Sequence, residues 1–217
     1  MSAPEITAAL GRLDDLTRRL RAECPWDREQ DERTIVPHTI EEAYELADAA
    51  HKRDDAKLLD ELGDVLFQVY FLALLLEERG AGDLGAVAEH CRQKLIRRHP
   101  HVFGDVEADS AGEVLRNWDQ IKAGEDGREP GIFGDVPENL PALLYARKVQ
   151  RRAAAAGRIE RSPDERPDDR DAAFAEVGER LFEVVDEARW LRVDPELALR
   201  AASQRFRDRI ETEGETA

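Results

Sequence analysis

An all-α protein is predicted by two features of this chain. Apolar residues recur at three- and four-residue spacing along most of its length, and runs alternating with a period of two are scarce. Leu, Ala, Glu and Arg dominate, and all four lose little on entering a helix. With 217 residues, 41% of them hydrophobic, the chain can bury one sizeable core or two small ones.

The elements follow from periodicity and stop signals. Ile6, Leu10, Leu13, Leu16 and Leu20 make one apolar stripe, so a first helix is expected from Glu5 to Ala22. Proline blocks its continuation at Cys24-Pro25-Trp26-Asp27. Two long helices are then expected from Val36 to Lys52 and from Asp55 to Arg79, with Gly80 as the left-handed residue that closes the second. Asp83 opens a helix that Pro100 stops after Arg98, and Ser110-x-x-Glu113 reads as a capping box for a helix to Lys122. AGEDGREPGIFGD (123–135) is rich in glycine and charge and reads as a linker. Beyond it, helices are expected at Glu138 to Ala156, Ala172 to Leu191 and Pro195 to Glu211, with the charged, proline-bearing run ERSPDERPDDRD (160–171) as a loop.

The chemistry-bearing pattern is a pair of acidic pairs. Glu42 and Glu45 lie in IEEAYE (40–45), Glu61 and Asp64 in DELGD (60–64), and each i,i+3 pair projects from one side of its helix. Two such helices packed side by side point four carboxylates into one crevice. Carboxylate oxygens without imidazole or thiolate suit Mg²⁺ or Mn²⁺, and Mg²⁺ keeps positions open for water and substrate phosphates. The alternative is a solvated acidic face, since 37% of the chain is charged. Glu42 has a second alternative as the reciprocal residue of a Thr39-x-x-Glu42 capping box; a helix that starts earlier, with Pro37 in its first turn, leaves it free. Gly63 sits beside Asp64 inside a long apolar run, at a helix cost of roughly 1 kcal/mol relative to alanine. A close approach by a neighbour would account for it.

Positive charge is gathered at one place. In KLIRRHPH (94–101), Lys94 and Arg98 share a helix face with Arg97 beside them, and Trp118-x-x-x-Lys122 repeats the i,i+4 spacing. Arginine grips phosphate oxygens in a fork and lysine supplies a point charge. Charges at a helix C-terminus and a core tryptophan are the plain alternatives. The net charge of −16 opposes binding to long nucleic acids, whose affinity rests on neutralising many phosphates. MSAPEITAAL lacks a basic segment followed by an apolar stretch, and no run is long enough to span a bilayer. The expectation is a cytoplasmic protein, off the membrane, with Cys24 and Cys91 as free thiols.

Taken in order, Cys24-Pro25-Trp26-Asp27, Glu41-Glu42-x-x-Glu45, Glu61-x-x-Asp64, KLIRRHPHVFG (94–104) and Trp118-x-x-x-Lys122 resemble the bacterial MazG nucleoside triphosphate pyrophosphohydrolases over residues of about 10 to 125. The resemblance implies a helical NTP pyrophosphatase bundle, usually a homodimer, that hydrolyses NTPs or dNTPs to the monophosphate and pyrophosphate with Mg²⁺ and serves nucleotide-pool house-cleaning. It implies Glu42, Glu45, Glu61 and Asp64 as metal ligands and Glu41 as the residue that positions or deprotonates water. Lys94, Arg97, Arg98, Trp118 and Lys122 would line the nucleotide side. Asp31 and Glu32 after Gln30 depart from the family, which often has a small residue there, and this bears on nucleotide selectivity.

Two domains are expected, a MazG-like domain over 1–125 and a degenerate C-terminal copy over 126–217. VPENLPALLYARKVQRRAAAAG (136–157), AEVGERLFEVVDEAR (175–189) and DPELALRAASQRFRDRIE (194–211) resemble the second helical module of full-length members. Yet no EExxE run precedes AEVGER, Gly178-Glu179 stands where Gly-Asp is expected, and no second Trp-x-x-x-Lys follows. The second copy is expected to hold no metal and to pack through Leu181, Val184, Val185, Leu197 and Phe206 in a structural or dimer-forming role. A catalytically weak nucleotide-binding or regulatory helical protein is the other reading.

Overall fold

In the computed structural model the described residues are 1–108, 110–125, 131–134, 136–159 and 167–215; they form helices and connections, with no strand among them. Two compact units divide the chain, Met1–Leu95 and Ile96–Ala217.

The first unit is built on three long helices. α1 (Ala3–Glu23) starts with the Glu5 carboxylate accepting the Ser2 backbone N–H at 2.5 Å. Pro25 stops it and, lacking an N–H, suits the first position of the short α2 (Pro25–Glu29), an element the sequence reading does not anticipate. α3 (Glu32–Lys52) begins four residues before its expected start, because Asp31 is the N-cap: its Oδ1 accepts the N–H groups of Arg33 (2.8 Å) and Thr34 (3.0 Å). Pro37 therefore falls inside the helix, in its second turn, and Thr39 turns its hydroxyl back to the Ile35 carbonyl (3.4 Å). Thr39 is thus in mid-helix and caps nothing, which leaves Glu42 free for the crevice.

The connection from α3 to α4 (Asp55–Glu78) is two residues long. Arg53 takes a left-handed conformation (φ 54°), the N–H groups of Arg53 and Asp54 close on the carbonyls of Ala50 (3.3 Å) and Ala49 (3.2 Å), and Asp54 caps α4 by accepting the Lys57 N–H at 3.1 Å. So short a turn makes α3 and α4 antiparallel neighbours. Ile35, Phe71 and Leu75 are buried between them, with Phe67 and Leu72 against the cluster. α1 is fastened to α4 by ion pairs, Arg18 to Glu77 (3.0 and 2.6 Å) and Arg21 to Glu78 (2.8 and 2.9 Å). Gly80, at φ 66°, closes α4 as expected, with Gly80 N–H on Glu77 O (2.9 Å) and Ala81 N–H on Leu76 O (3.0 Å). α5 (Leu84–Arg98) follows and runs across the division between the units.

The second unit holds α6 (Pro100–Phe103), α7 (Ala111–Ala123), α8 (Ala142–Ala155), α9 (Arg170–Trp190) and α10 (Pro195–Glu215). α6 is a second short helix beyond the expected set, and Ser110 caps α7 by accepting the Glu113 N–H at 3.2 Å. α8 starts at Ala142, since Pro141 precedes it, later than the expected Glu138. Its Tyr145, Val149 and Ala153 form one buried stripe with Phe133, Val136 and Ile210. Phe133, fully buried, corrects the linker reading: the apolar end of that stretch joins a core, while residues 126–130 lie outside the described set. Most of the proposed loop, 160–166, lies outside it too. Phe206 packs on this core, whereas Leu181, Val184, Val185 and Leu197 are exposed in the single chain. Both cysteines are free thiols, and among the described residues no helix is long and apolar enough to cross a membrane.

Candidate functional site

The hairpin sets the two acidic pairs level. Glu45 and Glu61 stand at nearly equal distances on either side of the Arg53–Asp54 turn, as do Glu42 and Asp64 one turn further out. One carboxylate oxygen from each of Glu42, Glu45 and Glu61 lies within 4.8 Å of the others. Glu61 is the enclosed member, only 4% exposed; Glu42 is half-buried and Glu45 exposed. Asp64 is exposed and outside that triangle, yet among the neighbouring charges it acts most strongly on Glu42.

Electrostatics marks the crevice as short of positive charge. Burial, then the charges of Asp64, Glu45, Glu61 and Glu41, push the Glu42 carboxyl above its ordinary range. Burial and then Glu45 push Glu61 up as well, against the opposing effect of Lys57, whose Nζ lies 3.7 Å away. Carboxylates held this close repel one another unless protonated or bridged by a cation. An all-oxygen donor set of this size fits a hard divalent ion. Glu41 points to another side of α3, where its Oε2 meets His38 Nδ1 at 3.2 Å; the His38 ring in turn receives Trp26 edge-on at 5.7 Å between centroids.

Arg97, Arg98, Trp118 and Lys122 come together within the second unit, whereas Lys94 belongs to the first. Arg98, 8% exposed, forks onto Glu125 (Nε to Oε1 3.0 Å, Nη2 to Oε2 2.5 Å), and Arg97 reaches the same carboxylate at 2.8 Å. The two guanidiniums, Arg98 foremost, hold the Glu125 carboxyl at about 2. The Trp118 ring has the Arg98 guanidinium 5.3 Å, the Lys122 ammonium 5.3 Å and the Arg151 guanidinium 5.5 Å from its centroid. Lys94 is half-buried on α5. Sequence reasoning missed Glu125 and Arg151. Glu125 lies in a stretch that reads as linker, and Arg151 meets Trp118 through packing of α8 on α7; no local spacing announces either. Lys57 was within reach of sequence reasoning, as the i,i+4 partner of Glu61.

Fold and crevice together define an α-helical protein whose longest hairpin gathers carboxylates at one level. Residues 30–103 match the family model described as MazG nucleotide pyrophosphohydrolase domain. The chain is 38% identical to the nucleoside triphosphate pyrophosphohydrolase of Escherichia coli K12, over 93% of this chain and 85% of that protein. It is 39% identical to the nucleoside triphosphate pyrophosphohydrolase/pyrophosphatase MazG of Thermotoga maritima, over 86% and 77%. A crystal structure of a MazG-related protein from Thermotoga maritima aligns at a TM-score of 0.45 and 27% identity, covering 52% of this chain and 97% of that one. The chain belongs to the MazG family.

Proposed function

We propose that this protein hydrolyses nucleoside triphosphates to the monophosphate and pyrophosphate with a divalent cation, Mg²⁺ or Mn²⁺, held by Glu42, Glu45, Glu61 and Asp64. The observation that carries the reading is the meeting of three of these carboxylates within 4.8 Å on a hairpin whose geometry brings the fourth to the same level. The names of the relatives in Escherichia coli and Thermotoga maritima supply the reaction. When bound, the cation polarises phosphoryl oxygens and lowers the pKa of bound water.

The chain's own residues do the rest. Glu61, buried and steadied by Lys57, fixes the orientation of the ligand set, and the exposed Glu45 and Asp64 leave the outer side open to substrate. Glu41, which meets His38 on another side of α3, would have to turn towards the crevice to position the attacking water, and its part in the reading rests on the family motif. Lys94, Arg97, Arg98, Trp118 and Lys122 carry the donors and ring that a nucleoside polyphosphate takes, and for Arg97 and Arg98 to grip a phosphate the substrate must displace Glu125. Residues 1–125 act as the catalytic domain and 126–217 as its degenerate second copy. The protein works as a homodimer in the cytoplasm and cleans the nucleotide pool.

The test is turnover of a panel of NTPs and dNTPs with pyrophosphate and orthophosphate measured separately. Monophosphate and pyrophosphate are expected in equal amounts, lost on chelation and restored by Mg²⁺ or Mn²⁺. Glu45→Gln keeps the side chain's size and removes its charge, so turnover is expected to fall at least about a hundredfold with helix content unchanged. Orthophosphate as the released product, or turnover indifferent to chelation, contradicts the reading.

A further inference from the structure

Gln68 is a polar group in the core of the α3–α4 hairpin that the proposed chemistry leaves unused. It is 7% exposed, and its Oε1 is buried without a hydrogen-bond partner among the described residues. Its place on α4 is fixed by its neighbours. Seven residues after Glu61 and four after Asp64, it shares their helix face, and Phe71, next along that face, packs on Ile35 of α3. The amide therefore lies between the carboxylates and the apolar contact, on the side of α4 turned to α3. Opposite, on α3, His38 and Thr39 precede Glu42 by one turn, but the imidazole meets Glu41 (3.2 Å) and the hydroxyl meets the Ile35 carbonyl (3.4 Å).

A buried amide oxygen without a donor is costly, and native interiors rarely keep one without a reason. A leucine or methionine at this position would extend the apolar stripe that Phe71 and Leu75 begin. Distance suggests what the reason is. One helical turn rises about 5.4 Å, so the amide stands one turn from Asp64 and two from Glu61, a range that spans the remove of a sugar or base from its own α-phosphate.

We infer that Gln68 determines nucleoside specificity: its Oε1 accepts a hydrogen bond from an N–H of the base or an O–H of the ribose while the α-phosphate lies at the carboxylates. This rests on the proposed hydrolysis, and it adds a residue that reads the nucleoside rather than the phosphates. A site with a buried polar group waiting for one partner discriminates against substrates that lack it, because they leave the group unpaired.

Gln68→Met and Gln68→Leu, both of similar volume, are compared with the wild-type chain on four NTPs, four dNTPs and a 2′,3′-dideoxynucleoside triphosphate. The expected result is a KM raised at least tenfold for the best substrate, with the ratios of kcat/KM across the panel flattened and the thermal midpoint at or above that of wild type. Flattening between NTP and dNTP assigns the bond to the 2′-hydroxyl, flattening between dNTP and the dideoxy compound assigns it to the 3′-hydroxyl, and flattening between bases assigns it to the base. Ratios unchanged in both variants, whether or not all rates fall together, overturn the inference while the hydrolytic reading stands. A wild-type chain that turns over no member of the panel removes the hydrolytic reading and this inference with it.

Discussion

Glu125 shows how one residue outside any motif can decide the state of two inside one. Its carboxylate receives Arg97 and Arg98 together and sits at about 2, below the ordinary 4.5 of a glutamate, because the charged form is the one both guanidiniums favour. A carboxyl with a lowered folded-state pKa contributes stability above its unfolded value and loses it as the pH falls through the folded one. The stabilisation is therefore complete above about 4.5 and gone near 2. Glu125→Gln leaves Arg98 buried without its carboxylate, at an expected cost of about 3 kcal/mol near neutral pH. Denaturant melts of the two proteins are expected to converge as the pH is lowered from 4.5 towards 2; a constant gap would contradict the account. The same residue marks a limit of sequence reading. Arg97 and Arg98 are legible as a basic pair, but their partner comes from 27 residues downstream, and only packing of the chain brings it there.

The α3–α4 hairpin is the element on which the proposed function turns, and much of it is legible in local chemistry. The i,i+3 spacing of the acidic pairs puts each on one face, and the helix boundaries at Lys52, Asp55 and Gly80 follow from ordinary stop signals. The start of α3 is not, because Asp31 caps it through Thr34 and starts it four residues ahead of the expected Val36. Nor does spacing alone say that two acidic faces meet; the two-residue turn at Arg53 and Asp54 does, by holding the helices antiparallel and in register. Arg53 sits there at φ 54°, a conformation that costs a residue with a Cβ and costs glycine nothing. Arg53→Gly is expected to stabilise the protein by about 0.5–1 kcal/mol after its greater unfolded-state entropy is subtracted, with metal-dependent activity unchanged. Urea titration checks the first and the turnover assay the second. A destabilised variant would show that the arginine side chain matters more than its backbone.

At the scale of the whole molecule, the two units differ in what they offer chemistry. The first carries the clustered carboxylates, and the second carries the cations around Trp118. An all-helical chain and its family were readable from periodicity and motif order, since helices and motifs are local. Burial of Phe133 and the cation that α8 lends to Trp118 were not, because each depends on residues far apart in sequence. The central claim is that the carboxylate hairpin directs water to the α-phosphorus of a nucleoside triphosphate. Hydrolysis in ¹⁸O-water with Mg²⁺, followed by mass spectrometry of both products, tests it most directly. The account predicts one labelled oxygen in the nucleoside monophosphate and none in pyrophosphate; label in pyrophosphate would place the attack at the β-phosphorus and contradict it.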